Sequence, residues 1–436
     1  MKVAVIGAGI AGLGCAYALS RSLPAEARIT LFEACARLGG HANTVDVELD
    51  GKTHPVDTGF LVFNERTYPN LVRLFNDLGV PTAASDMSFA ISVPLAGGRR
   101  LEWAGSNLDT VFAQRRNLLS PTFLRMLRDI LRFNRQGTRV AEGREDAGGL
   151  ALGEFLDRHG YGNAFRRWYL LPMAAAIWSC PTATMLAYPF STFVRFCHNH
   201  GLLQIEGRPQ WYTVAGGARR YVERITETLN DVRLGDPVHA VARDAATESV
   251  VVDSRTGRRR FDHVVLACHS DQSLRLLIDA DHAERAVLAG VRYQPNCAVL
   301  HTDVRLMPVS RKVWSAWNYM SDGSDAPAVS VTYLLNRLQP LPFRTPLFVS
   351  LNPVVEPARQ HVLAEFDYAH PIFDDRAIAA QSGLEAVQGR RRVWFAGAWT
   401  GYGFHEDGLK SGLAVAASLT STARGRGHAG TARRAA

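Results

Sequence analysis

Two rhythms of apolar positions alternate along this chain. Val3-Ala4-Val5-Ile6 and Ile29-Thr30-Leu31-Phe32 are short unbroken apolar runs of the buried-strand kind. Between them Leu13, Ala16, Tyr17 and Leu19 recur at helical spacing within Ala11 to Leu23, so the chain opens as strand, helix, strand. Strand character returns after long excursions. Tyr212 to Gly217 precedes a helical run from Tyr221 to Leu229, Val238-His239-Ala240-Val241 and Ser249-Val250-Val251-Val252 alternate as hairpin strands, and Phe261 to Ala267 reads as a buried strand. The last return is Val393 to Ala398, with a helix expected from Gly408 to Ala423. Residues 65–205 read as helix-rich, with loops at Pro81, Gly97-Gly98, Ser120-Pro121 and Gly148-Gly149, and residues 275–390 carry strands and proline turns. The pattern predicts two interleaved domains. Residues 1–62, 206–270 and 391–423 form one, residues 63–205 and 271–390 the other, and the Gly, Ala and Arg tail 424–436 is expected to be disordered.

The turn between the first strand and helix is Gly7-Ala8-Gly9-Ile10-Ala11-Gly12. In a dinucleotide site each part has a task. Gly7 permits the tight turn, Gly9 lets backbone approach a pyrophosphate, and Gly12 allows close helix-to-sheet packing. The N–H groups from Ile10 and Ala11 onward present partial positive charge to phosphate oxygens. Glu33 closes the second strand, where its carboxylate suits two ribose hydroxyls and repels a 2′-phosphate.

At 436 residues the chain exceeds one ordinary core, and 47% hydrophobic with 21% charged residues describes a globular protein. The net charge of +8 is mostly arginine, Lys2, Lys52, Lys312 and Lys410 being the lysines. No nucleic-acid recognition module stands behind that charge, so nucleic acid is not an expected partner. Cysteines 15, 35, 180, 197, 268 and 297 show no metal-like or C-x-x-C spacing, which suits reduced thiols. Met1-Lys2 leads straight into a strand and no apolar run reaches the roughly 20 residues of a spanning helix. The expected location is cytoplasmic, with peripheral contact at the inner membrane face.

Four ordered blocks resemble the flavin amine oxidase superfamily, which includes carotenoid desaturases and protoporphyrinogen oxidases. They are the glycine turn with Glu33 and Arg37-x-Gly39-Gly40; Asp57-x-Gly59; Gly216-Gly217 with Asp262 to Ala267; and Phe395-Ala396-Gly397 with Asp407-Gly408-Leu409-Lys410-Ser411-Gly412. The chain also looks like bacterial NAD/FAD-binding oxidoreductases associated with cyclopropane fatty acid synthases. The resemblance implies an α/β fold: a Rossmann-like FAD-binding domain of glutathione reductase type, interleaved with an α+β substrate domain. It implies non-covalent FAD, with Arg37, Gly39 and Gly40 along the pyrophosphate. Ala34, Thr58, Phe60, Ala267 and Gly397 fall along the same cofactor, Gly59 faces the ring system, and Val238 meets adenine. Gly408 and Leu409 would place helix N–H groups near flavin N1 and O2. Two departures stand out. His41 replaces an arginine common in relatives and becomes a phosphate contact or a structural residue, and Ala398 follows Gly397 where relatives hold the ribityl chain with an acid, leaving Glu406 or Asp407 as substitutes.

Flavin performs the redox step itself, so no obligatory acid, base or nucleophile is expected. Lys312 is the candidate for the lysine that bonds flavin N5 through water in amine oxidases, a surface ion pair being the alternative. Trp399, Tyr402 and Phe404 would flank the ring or line an apolar tunnel. His405 is the candidate acid or base because its ordinary pKa lies near neutrality, with a packed histidine as the alternative. His198-Asn199-His200 has no third ligand nearby, so no metal site is read. Phe123, Leu127, Ile130, Leu131 and Phe133 mark an apolar side of Leu118 to Gly143, against Arg125, Arg128, Arg132, Arg135 and Arg139. Such a helix lies on anionic lipid or forms a solvated face over a core. Leu170-Leu171-Pro172-Met173 and Ile177-Trp178 suit a lipid chain. The leading expectation is an FAD-dependent oxidase, dehydrogenase or desaturase that takes hydride from an apolar fatty acyl or isoprenoid substrate. The alternatives are a flavin amine oxidase and a non-catalytic lipid-binding escort of related fold. A nicotinamide enzyme leaves the C-terminal glycine block idle, and the sequence leaves the oligomeric state open.

Overall fold

The computed structural model describes the backbone of residues 1–178, 182–321 and 330–434, and the side chains of these except 182–183 and 424–434. Cys180 lies outside the described residues. A five-stranded parallel sheet is assembled from distant stretches. Strand β1 (Lys2–Ile6) lies between β2 (Arg28–Glu33) and His263–Leu266; Asp231–Leu234 extends the sheet beyond β2, and Val393–Phe395 extends it on the other side. Val3, Val5, Val264, Val265 and Leu266 are fully buried, as strands covered on both faces require. A three-stranded antiparallel sheet, Val238–Asp244, Ser249–Ser254 and Gly257–Phe261, accompanies it.

The second large sheet has seven strands, in the order Val362–Ile372, Arg292–His301, Phe348–Leu351, Ser330–Leu334, Trp317–Met320, Phe89–Pro94, Arg100–Ala104. Its last two strands come from the stretch expected to be helix-rich. Phe89 to Val93 is a short apolar run of the kind that reads as either strand or helix segment, and parallel pairing with Trp317–Met320 decides it. Phe63–Asn64 and Thr82–Ser85 flank Trp211–Val214 in a third small sheet. Helices Pro121–Ala141 and Phe190–Asn199 pack through Phe133, Phe190 and Phe193, all fully buried.

Helix α1 (Ile10–Ser22) crosses the last helix, His405–Arg434, so closely that a Cβ at Gly412 would overlap the Ala11 carbonyl oxygen. That last helix starts one turn before the expected Gly408, where Asp407 accepts a hydrogen bond from Phe404 N–H at 3.0 Å. Its backbone runs on to Arg434. Residues 435–436 lie outside the described residues. Among the described residues no helix is long and apolar enough to cross a membrane.

Candidate functional site

A cavity of about 670 Å³ lies between the carboxyl ends of the parallel strands and one face of the seven-stranded sheet. Ile6, Phe32 and Ala267 contribute from the first side, and Ala298, Trp317, Tyr333, Val349 and Tyr368 from the second. Outside the strand ends is where open parallel sheets take ligands.

The glycine turn forms one end. Gly7 has φ +102°, and its N–H donates to the Phe32 carbonyl at 2.8 Å, which bends the chain off β1. A Cβ at Gly12 would stand 1.8 Å from the Gly7 oxygen, so this glycine exists for packing. Gly9 is different. It adopts φ −72°, lines the cavity, and a Cβ there would meet nothing within 4 Å. No side chain caps helix α1, so the orphan N–H groups of its first turn open toward the cavity beside Gly9, Ile10 and Ala11. Glu33 is held in the wall by Ala8 N–H and Cys35 N–H, which donate to its two oxygens at 2.8 and 2.9 Å. Ala34, Asp236 and Val238 line the cavity with it.

Gly40, His41, Thr58, Gly59 and Phe60 form the middle. The His41 ring stacks on Tyr368 at 5.0 Å and sits 5.3 Å from His370, and its Nε2 is buried with no partner. Burial first, then neighbouring His370, holds His41 well below the usual imidazole range. His370 falls to about 4 through burial. The Tyr368 hydroxyl meets Asn43 Nδ2 at 3.0 Å and Thr58 Oγ1 at 3.1 Å, fixing the wall. Asp57 lies behind it, receiving Ala218 N–H at 2.9 and 3.0 Å and Thr44 Oγ1 at 2.5 Å, and burial pushes its carboxyl up to about 7. The Asp57-x-Gly59 segment thus ties the middle wall to the Gly216-Gly217 turn.

The far end is aromatic and aliphatic. Phe196 stacks on Phe404 at 5.0 Å and lies 5.8 Å from Tyr402, with Met87, Ile177, Trp178, Trp211 and Leu351 completing the wall. Gly397 and Trp399, just before the last helix, also line the cavity. His405 stacks on Phe60 at 3.9 Å, and its Nε2 is 2.6 Å from the buried Tyr221 hydroxyl. Burial lowers His405 to about 3, so near neutral pH it is an uncharged, packed imidazole that cannot arrive loaded with a proton.

Several expected site residues lie elsewhere. Lys312 forms an ion pair with Asp109, Nζ to Oδ2 at 2.6 Å, and does not line the cavity. Arg37 is exposed and donates to the Gly40 carbonyl at 2.8 Å, closing the loop that its charge was expected to neutralise a phosphate from. Gly39 serves that loop too, its N–H bonding the Ala8 carbonyl at 2.9 Å. Gly59 does line the cavity, and a Cβ there would also strike the His41 carbonyl oxygen. Gly408 N–H already bonds Phe404 at 3.1 Å, and a Cβ there would meet Ile10 Cγ2 at 2.9 Å; Leu409 packs on Gly14. Both belong to the crossing with α1. Asp407 caps its own helix, and Glu406 accepts from the N–H groups of Asn70 and Leu71 at 3.0 Å each, so neither acid faces the cavity. Leu170 and Leu171 are core. Tyr368 and His370 escaped the sequence reading, although their two-residue spacing on one strand puts them on one face. Phe196 looked like any core position of an apolar helix.

The geometry fits FAD. The uncapped helix end and the empty space over Gly9 suit a pyrophosphate, Glu33 suits a ribose, and the buried, unpartnered nitrogens of His41, Trp178, Trp317 and Trp399 call for a polar ligand in a cavity all four line. Among curated proteins no sequence matches the chain. Among solved structures it is similar to cyclohexylamine oxidase from Brevibacterium oxydans, 16% identical with TM-score 0.68, covering 97% of this chain and 99% of that one. It is also similar to a fatty acid isomerase from P. acnes that produces CLA, 14% identical with TM-score 0.66 over 95% and 98% of the two chains. Putrescine oxidase with bound putrescine gives 14% identity and TM-score 0.69 over 97% and 99%. At such identities these likenesses show the fold. The sequence model of the flavin containing amine oxidoreductases matches residues 10–330, and the chain belongs to that family of FAD-dependent oxidoreductases.

Proposed function

We infer that the protein oxidises an apolar substrate of fatty acyl or isoprenoid type by removing hydride from it. One observation carries this reading. Glu33 and Asp236 are the carboxylates in the cavity wall, and both lie at the nucleotide end, where Asp236 N–H bonds the Glu33 carbonyl at 2.9 Å. The far end offers Met87, Ile177, Phe196, Tyr333, Val349 and Leu351, with no carboxylate among the described residues to receive an ammonium group. Bound FAD supplies the acceptor for two electrons and a proton.

The chain's own residues place and shield. Gly9 and the first turn of α1 hold phosphate, Glu33 holds ribose, and the Asn43, Thr58 and Tyr368 cluster stiffens the middle wall. Phe196, Tyr402 and Phe404 exclude water and orient an extended hydrocarbon. His405 and Tyr221 position Phe60. We assign residues 1–62, 206–270 and 391–423 to the cofactor unit and 63–205 with 271–390 to the substrate unit. A fatty acid isomerase shares the fold, which supports this reading.

The same aromatic group supports a second reading, a flavin amine oxidase, since the fold is shared with putrescine and cyclohexylamine oxidases. Anaerobic mixing of the flavin-loaded protein with acyl lipids, isoprenoids and amines separates the two. Bleaching by an acyl or isoprenoid compound is expected; bleaching by amines alone overturns the leading reading. Admitting oxygen then distinguishes an oxidase from a dehydrogenase.

A further inference from the structure

The helix Pro121–Ala141 has 21 residues and extends roughly 30 Å. Its buried side carries Phe123, Met126, Phe133 and Val140, and Phe133 meets Phe190 and Phe193 of the neighbouring helix at 6.0 and 6.3 Å. The outer side is unusual. Leu124 and Leu131 are exposed there in register with exposed Arg125, Arg128 and Arg135, and the turn just before the helix adds Leu118 and Leu119, the latter 88% exposed. With Leu108, these make five of the thirteen exposed large hydrophobic side chains among the described residues, gathered into one short stretch. Scattered exposed leucines need no explanation, but a cluster does.

The charges on this face are unbalanced. Asp109 is taken by Arg115 and Lys312, Asp129 is buried with Arg132, and Glu145 pairs with Arg139. Arg125, Arg128 and Arg135 have no ion-pair or hydrogen-bond partner among the described residues. A solvated face over a core would be expected to mix acids and bases without leucines. Cations interleaved with aliphatic side chains match a layer that is anionic at its surface and apolar just beneath.

We propose that this face, Leu118-Leu119 with the outer side of Pro121–Ala141, docks the protein on an anionic lipid surface. The helix lies flat, arginines reach the headgroup phosphates, and Leu119, Leu124 and Leu131 enter the acyl boundary. One helix separates this face from the cavity: Phe190–Asn199 packs on the basic helix through Phe190 and Phe193 and turns Phe196 toward the cavity. The proposal goes beyond the substrate reading and does not need it, because docking is measured without turnover.

The test is flotation of the flavin-loaded full-length protein with phosphatidylglycerol vesicles and with phosphatidylcholine vesicles, at low and high salt. Binding to the anionic vesicles that weakens with salt is expected, with little on the zwitterionic ones. Each arginine near such a surface contributes about fivefold, so Arg125→Gln with Arg128→Gln and Arg135→Gln should weaken binding on the order of a hundredfold. Leu119→Ser with Leu124→Ser and Leu131→Ser should abolish flotation even at low salt. Both variants must keep the flavin spectrum and melting temperature of the parent; should the leucine variant not, Leu119→Ser alone, at the most exposed position, carries the test. Flotation that is absent from anionic vesicles overturns the proposal. So does binding to DNA that matches the vesicles in strength and ignores the leucine changes, which would make the face a general polyanion site.

Discussion

Replacing Gly9 by alanine and, separately, Gly12 by alanine makes one chemical change at two positions of one turn, and the structure assigns them opposite consequences. Gly9 has φ −72° and ψ 178°, a conformation any residue adopts, with nothing within 4 Å of the added methyl. Apoprotein stability should therefore hold or rise by about 0.4–1 kcal/mol, since the unfolded chain loses freedom. The methyl projects over the uncapped helix end, where the pyrophosphate must approach N–H donors. A hydrogen bond to a charged group contributes about 1.5–3 kcal/mol, so displacement from two of them weakens FAD by about 3–6 kcal/mol, roughly 10²- to 10⁴-fold.

Gly12→Ala places its methyl 1.8 Å from the Gly7 carbonyl oxygen and 3.2 Å from Ala267 Cβ. Backbone must move on both sides, so the apoprotein itself should lose about 2 kcal/mol or more. Thermal melting of flavin-free protein and titration by quenching of flavin fluorescence give the two readouts. The expected pattern is a normal melt with lost binding for Gly9→Ala, and a lowered melt for Gly12→Ala. Gly9→Ala protein that binds FAD as tightly as the parent would show that the cofactor does not use this helix end, and the cofactor assignment of the whole cavity would fall with it.

Glu284 is fully buried against Arg243, so Glu284→Ala leaves a buried guanidinium short of a partner and should cost about 3–5 kcal/mol in a denaturant melt; a loss below 1 kcal/mol would show that Asp279 alone suffices. Lys312→Met should leave anaerobic flavin reduction unchanged, because its partner is Asp109 and not the cavity; a large drop in rate restores it as a site residue. His200 and His370 fall to about 4 and His405 to about 3, all below the 6.5 of an unfolded histidine. The unfolded chain then binds more protons in acid, so their contribution is complete above about pH 6.5 and is lost as pH falls toward 4 and 3, up to about 3 kcal/mol each for His200 and His370 and about 5 kcal/mol for His405. Asp57, raised to about 7, acts in the opposite sense over the same range, so the readout is the comparison of variants: from pH 7 to 4 the parent should lose more stability than His200→Gln, and equal slopes refute the assignment. For the same reason the pH profile of flavin reduction should show no inflection near 6.5 that disappears in His405→Gln.

What could be read in the sequence was decided by whether one local geometry demanded one residue type. The strand, turn and helix from Val3 to Ser22 were legible because Gly7 needs φ +102° and the apolar periods on either side agree with it. The strands Phe89–Pro94 and Arg100–Ala104 were not: the first is fixed by a parallel neighbour at Trp317–Met320 that no local pattern announces, and the second pairs only with the first. Tyr368 and His370 belong to the site only because Val362–Ile372 is the edge strand turned toward the cavity, a fact of the assembled sheet. Glycine misled in a more instructive way. Gly9 and Gly59 stood out as places where a cofactor needs room, and Gly408 as a helix start offering N–H groups to it. A missing side chain makes room for whatever comes near, and sequence does not say whether that is a ligand or the protein's own backbone. Asking what a Cβ would meet separates them: His41 carbonyl at Gly59, Ile10 at Gly408, and open cavity at Gly9. Of these three, Gly9 alone would project an added methyl into open cavity without disturbing the protein's own packing, which is why its alanine variant, and not the loss of any charged side chain, is the decisive probe of the site.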